Sequence, residues 1–111
     1  MGLFTAGQVV VLPFPYSDLS GHKHRPVLLL AAVEYDDWII CQITSNPYAD
    51  PYAVRLAQSD FLSGGLPHTS YARPTKLFTA NTSLIAGQSG ILRGQVFDEV
   101  REAVIALMRK S

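Results

Sequence analysis

The sequence predicts a mainly β domain, an antiparallel barrel-like set of short strands followed by one C-terminal α-helix. Three observations predict it. Short β-branched and apolar runs recur along most of the chain, each bounded by Pro, Gly, Asn or Asp. Apolar spacing turns helical only from Val96 onward. The length, 111 residues, fits one domain spanning 1–111, with no repeat, linker or low-complexity segment.

Gln8 to Phe14 reads as a strand, with Val9, Val10, Val11 and Leu12 in a row and Pro13 and Pro15 closing it. Tyr16 to His24 is polar, with Ser, Asp and Gly, and reads as a loop that could carry function. Pro26 to Val33 is a continuous apolar run. A buried helix is the rival there, but the leading proline and short length favour a buried strand. Asp36-Asp37 marks a turn, and Trp38 to Thr44 completes a hairpin. Asn46 to Pro51 is a loop, and Ala53 to Leu56 a short strand. Gln58 to Leu62 reads as one helical turn ended by Gly64-Gly65. Ser70 to Phe78 is extended, with Pro74 implying an edge or a bulge. Ser83 to Ile91, with Gly87 and Gly90, is a weak strand. Val96, Val100, Val104 and Leu107 then share a helix face. Asp98 and Glu99 fall in its first turn and Arg109 and Lys110 in its last, as the helix dipole favours.

Composition narrows the function. Apolar residues make up 48% of the chain and charged ones 16%, so another chain is expected to cover part of the surface. A formal net charge of zero argues against a grip on long duplex DNA, though a local basic groove remains open. One cysteine, Cys41, excludes an internal disulfide and a cysteine-rich zinc site, and it reads as a core thiol. No signal peptide, myristoylation motif or membrane-length apolar run is expected, which points to the cytoplasm.

Two stretches put reactive side chains at strand ends. In Gly21-His22-Lys23-His24-Arg25-Pro26 a basic segment enters a buried strand, and Pro26 holds Arg25 extended. In Ile43-Thr44-Ser45-Asn46-Pro47 an apolar strand ends in two hydroxyls and an amide. A hairpin sets the start of its first strand beside the end of its second, so Arg25 is expected near Thr44. A guanidinium beside hydroxyl donors suits a pentacoordinate phosphate. Plainer readings stand beside this one. Thr44 and Ser45 can simply form a turn. His22 and His24 can be solvated loop residues, and as a metal pair they lack a third ligand nearby. Phe14 and Tyr16 can stack on bases or cover the barrel end. Gly64-Gly65 matches no phosphate-binding loop.

Val9-Val10-Val11-Leu12-Pro13-Phe14-Pro15-Tyr16-Ser17-Asp18-Leu19-Ser20-Gly21, His24-Arg25-Pro26-Val27-Leu28-Leu29-Leu30 and Ile43-Thr44-Ser45 together resemble the MazF/PemK growth-inhibitor family, toxins of type II toxin–antitoxin pairs. The resemblance runs on through Gly65-Leu66-Pro67 and Ser70-Tyr71-Ala72-Arg73-Pro74-Thr75-Lys76-Leu77-Phe78 to the final helix. It implies a small SH3-like barrel with a terminal helix, working as a homodimer. It also implies an endoribonuclease, using no metal or other cofactor, that cuts single-stranded RNA. The ribose 2′-hydroxyl attacks the adjacent phosphate and leaves a 2′,3′-cyclic phosphate and a 5′-hydroxyl.

The family's catalytic arginine falls on Arg25, its threonine on Thr44, and a second arginine of some members on Arg73. The alternative for Arg73 is an exposed cross-strand charge. Several relatives carry an acid two positions beyond that second arginine, where this chain has Thr75, so His24 is a candidate to supplement the arginine as base. RNA contacts are expected from Phe14, Tyr16, Ser17, Lys23, Ser45, Asn46, Thr75 and Lys76, with specificity in the Tyr16–His24 loop and in Asn46 to Tyr52. The implied partner is an antitoxin whose disordered tail folds over the groove. Two other outcomes are a toxin of the same fold that poisons DNA gyrase through its terminal helix, and a weakened relative that only binds its antitoxin.

Overall fold

The computed structural model describes residues 3–15, 22–47 and 49–110, with the backbone alone for Phe14, Pro15 and His22. Seven strands and one helix follow in the order β1 (Gln8–Pro15), β2 (His22–Ala32), β3 (Asp37–Thr44), β4 (Val54–Leu56), β5 (Phe61–Gly64), β6 (Ser70–Asn81), β7 (Gly87–Leu92) and α1 (Gly94–Lys110). All pairings are antiparallel, and the strand order across the sheet is β4-β6-β3-β2-β1-β7-β5.

That order forces the sheet to curl. Its two edge strands, β4 and β5, are neighbours in sequence, separated by residues 57–60. Laid flat, seven strands at about 4.8 Å spacing would set the edges roughly 29 Å apart. The five Cα steps from Leu56 to Phe61 reach only about 17 Å at full stretch, and Gln58–Asp60 is wound into a 3-10 turn besides. The sheet therefore bends into a nearly closed barrel. Asp60 fixes the joint by accepting the Ala57 N–H on its carboxylate at 2.7 Å. The Arg93 guanidinium holds the Ser59 carbonyl at 3.0 Å.

Alternation along the strands builds two apolar clusters on opposite faces. Val9, Leu28, Cys41, Ile43 and Ala72 meet inside the barrel with Val54, Leu56 and Phe61, and Val100 of α1 is buried among them. Val10, Leu12, Val27, Leu29, Trp38 and Ile40 form the second cluster on the other face. Burial on both faces explains why β2 reads as an unbroken apolar run rather than an alternating one.

Several boundaries differ from the sequence reading. β2 begins at His22, so His22, Lys23 and His24 are strand residues paired to Pro15, Phe14 and Pro13, not loop. Residues 16–21 of that expected loop lie outside the described residues. β1 runs through both prolines to Pro15. The hairpin turn is Glu34–Asp36, where Tyr35 and Asp36 adopt φ 63° and Asp37 already belongs to β3. The expected helical turn at Gln58–Leu62 stops at Asp60, and Phe61–Gly64 is a strand. Phe61 is buried and leads into a ladder with β7, an attraction of tertiary origin that local propensity does not contain. Likewise Thr82–Leu84 is a 3-10 turn, capped by the Asn81 side chain, and the strand begins only at Gly87. The helix starts at Gly94, so Asp98 and Glu99 fall in its second turn, whereas Arg109 and Lys110 do end it.

Pro74 sits in a bulge. Cys41 pairs with Leu77 while Gln42 pairs with Arg73, leaving residues 74–76 looped out of the ladder. Proline has no N–H, and a bulge asks for none. The Arg73 carbonyl accepts the Cys41 thiol at 3.1 Å. Burial pushes that thiol's pKa up to about 12, partly opposed by this bond, so it stays protonated and inert as a nucleophile. Among the described residues no helix is long and apolar enough to cross a membrane.

The contact that seats edge strand β5 on β7 needs glycine. A Cβ on Gly64, whose φ is +70°, would lie 2.2 Å from the Ser89 carbonyl oxygen. Gly64→Ala is expected to lower stability by about 1–3 kcal/mol, read as a lower urea midpoint. An unchanged midpoint would mean that β5 shifts freely.

Candidate active site

The strand registers bring the two predicted strand-end motifs together. Leu12 pairs with Arg25, and Thr44 pairs with Tyr71. The β2–β3 ladder runs Leu29 to Ile40, Leu28 to Cys41 and Val27 to Gln42. Continued by two residues, the same register sets Arg25 across from Thr44. Pro26 lies just past the end of the Val27–Gln42 pairing, where its missing N–H costs no ladder bond. Leu12, Arg25, Thr44 and Tyr71 thus form one row across four strands, and Val10, Val27, Gln42 and Arg73 the next row on the same face.

The other face of these strand ends forms the mouth of the barrel. There Val11, Pro26 and Ile43 line a cleft of about 280 Å³, which Lys23, His24, Arg25, Thr44 and Ser45 at the strand ends also border. Leu66, Pro67 and His68 of the β5–β6 connection, with Ser70 and Ser89, form the rest. Ser89 lies where β7 slips register against β1, opposite the Val9–Val10 step. Such a bulge re-aims a side chain at a barrel rim. Ser70 is buried, and its hydroxyl donates to the His68 carbonyl at 3.0 Å.

Thr44 does what its turn-forming alternative describes. Its Oγ1 donates to the Asn46 carbonyl at 3.0 Å and accepts the Asn46 N–H at 3.1 Å. To donate to a phosphoryl oxygen it must turn from the first contact while keeping the second. Asn46 is held in this turn, and Ser45 is exposed at its start.

Arg73 is neither free nor in the cleft lining. Its Nε donates to Asp50 Oδ2 at 2.9 Å, with the arginine side chain 20% and the aspartate 5% exposed. Thr75 Oγ1 approaches the same oxygen at 3.5 Å, and Asp50 Oδ1 accepts the Tyr52 N–H at 2.9 Å. An acid, Asp50 from the segment after β3, thus stands beside Arg73 and Thr75. Lys76 is exposed on the bulge. Tyr16, Ser17 and the side chains of Phe14 and His22 lie outside the described residues. Among the described residues no group of three or more His, Cys, Asp or Glu side chains comes together as a metal-binding set.

The sequence marks none of Leu66, His68, Ser70 or Ser89 as a site residue, and reaches Asp50 only as part of the Asn46 to Tyr52 stretch. Gly87 and Gly90 bracketing Ser89 were the one available sign of a bulge. Nothing local in the sequence pairs Asp50 with Arg73, 23 residues away.

This fold and rim define a class: a small antiparallel barrel with a C-terminal helix and an open, cation-edged mouth. The profile of the PemK-like, MazF-like toxins of type II toxin–antitoxin systems matches residues 5–108, and the chain belongs to that family. Among solved structures, the fold is similar to a MazE–MazF structure from Deinococcus radiodurans, with TM-score 0.76, 22% identity and 100% of both chains covered. It is also similar to an endoribonuclease in complex with its cognate antitoxin from a mycobacterial species, with TM-score 0.70, 18% identity, and 99% of this chain and 96% of that one covered. The Mycobacterium tuberculosis toxin MazF-mt6 matches with TM-score 0.70 and 18% identity over 92% of this chain and 96% of that one. No curated protein sequence matches the chain.

The Arg73 guanidinium hydrogen bond, with the Tyr52 N–H, holds the Asp50 carboxyl below its usual pKa. A carboxylate with a depressed folded-state pKa adds stability above its unfolded value, about 3.9, and loses it as pH falls through the folded value. Asp50→Asn is therefore expected to lower Tm at pH 7, with the gap from wild type closing below about pH 4. A gap independent of pH would contradict the ion pair.

Proposed function

We propose that this toxin is a sequence-selective endoribonuclease that cleaves single-stranded RNA without a metal. What supports the reading is one observation: the β2–β3 register sets the Arg25 guanidinium's strand position across from the Thr44 hydroxyl's, at a rim that also carries Lys23. The similarity to a mycobacterial endoribonuclease and to MazF structures supports it further.

The ribose 2′-oxygen attacks the adjacent phosphorus, the P–O5′ bond breaks, and the products are a 2′,3′-cyclic phosphate and a 5′-hydroxyl. Arg25 neutralises charge on the phosphoryl oxygens, where preorganised donors act most strongly. Thr44 donates to the same oxygens once it leaves the Asn46 carbonyl. Arg73, oriented by Asp50, is the second cation; it holds a phosphoryl oxygen or protonates the leaving 5′-oxygen, which otherwise takes its proton from water. His24, on the sheet face opposite Arg25 and Thr44, supplements the arginine as base by taking the 2′-hydroxyl proton where the strand crosses the rim. Lys23, Ser45, Asn46, Thr75 and Lys76 contact the strand, as do Phe14, Tyr16 and Ser17 ahead of β2. The protein acts as a homodimer, and a cognate antitoxin covers the groove.

Arg25→Ala and Thr44→Val are each expected to slow single-turnover cleavage by about 10²–10³-fold. Wild-type cleavage should proceed in chelator and leave cyclic-phosphate ends. Intact RNA under these conditions, with gyrase-dependent DNA breaks instead, would replace the reading with a gyrase poison. His24→Ala is expected to slow single-turnover cleavage; an unchanged rate would remove His24 from the mechanism.

A further inference from the structure

We propose that the cleft at the barrel mouth receives one unpaired nucleobase of the RNA, lodged beside the phosphate that Arg25 and Thr44 hold. The inference rests on the endoribonuclease reading and moves part of the sequence selectivity from the strand-connecting loops into the barrel itself.

Alternation supplies the geometry. Arg25 and Thr44 belong to the row on one face of the sheet ends, whereas His24, Pro26, Ile43 and Ser45 belong to the other. A polynucleotide crossing this rim keeps its phosphate on the first side and lets the neighbouring base tip over onto the second. Single-stranded RNA offers such a base, since it is unstacked and free to splay out.

The cleft matches a base in size and chemistry. At about 280 Å³ it falls just below the roughly 300–1,000 Å³ of small-molecule sites, a size suited to one heterocycle. Its apolar lining comes from the sheet, Val11, Pro26 and Ile43, and from the β5–β6 connection, Leu66 and Pro67. A flat ring set among these side chains loses water from its apolar surface. The polar groups among them are those a base edge needs: the hydroxyls of Ser45, Ser70 and Ser89 and the His68 imidazole. Among the described residues no carboxylate lines the cleft, so nothing there repels the strand. Ser70 also gives a direction. Its proton is engaged by the His68 carbonyl, so toward a ligand its oxygen accepts. That favours a base edge that presents an N–H donor at this point, an exocyclic amino group or a ring N–H.

The test uses the full-length protein and short RNAs with one cleavable site. Each flanking position in turn carries an abasic ribose that keeps its 2′-hydroxyl. For the wild type, the abasic change at one position next to the cut is expected to slow single-turnover cleavage at least tenfold. Leu66→Trp, which fills the cleft, should slow the intact RNA at least tenfold yet leave the abasic RNA unchanged. His68→Ala, at an exposed position that tolerates truncation, should show the same pattern more weakly. Equal slowing of both RNAs by both variants would overturn the inference. So would Leu66→Trp leaving RNA cleavage intact and weakening only antitoxin binding, because the cleft would then be a peptide pocket. A wild type that cuts no RNA would overturn the endoribonuclease reading and this inference together, whereas the first two results overturn the inference alone.

Discussion

The connection between β4 and β5 is the constraint on which the structure depends. Four residues join the two edges of a seven-stranded sheet, and no flat sheet satisfies that distance. Closure follows, and with it a single interior that Val100 of the terminal helix shares. Closure also creates a mouth. Where β2 begins and β3 ends, the interior face opens to solvent, and the polar row His24, Ser45 and Ser70 replaces the apolar rows below it. The small size of the domain makes each such contact matter, since little buried surface is held in reserve.

Above that frame the site is a matter of register. A one-residue slip between β2 and β3 would move Arg25 to the face that His24 now occupies. The register is held by burial on both faces, Leu28 against Cys41 inside and Leu29 against Ile40 outside, so a slip would strand apolar side chains. Asp50 adds the next level. Its carboxylate ties the segment after β3 to Arg73 and Thr75, while Thr44 folds the same segment at its start. The segment is thus pinned at both ends by residues of the candidate site.

The strands whose signal is local were legible in the sequence. Val9 to Leu12, the run from Pro26 and the Trp38–Thr44 strand carry their own apolar content, and the helix carries its own period. The proximity of Arg25 and Thr44 followed from the hairpin alone. What was not legible depends on distant partners. β5 is a strand because Phe61 and Gly64 find β7, and Gly64 in isolation reads as a stop signal. The start of β2 is polar, and only pairing with β1 extends it to His22. Asp50 looks like a loop acid until the fold carries Arg73 to it. The barrel mouth collects Leu66, His68 and Ser70 from one stretch and Ser89 from another, and only the fold brings the two together.

The central claim is that Arg25 and Thr44 act on one phosphate. The most direct measurement is a double-mutant cycle on the single-turnover cleavage rate, comparing Arg25→Ala, Thr44→Val and the pair. If both groups serve the same transition state, the double variant is far less impaired than the product of the two single losses. Losses that simply multiply would mean that the two residues act independently, and would contradict a shared phosphate.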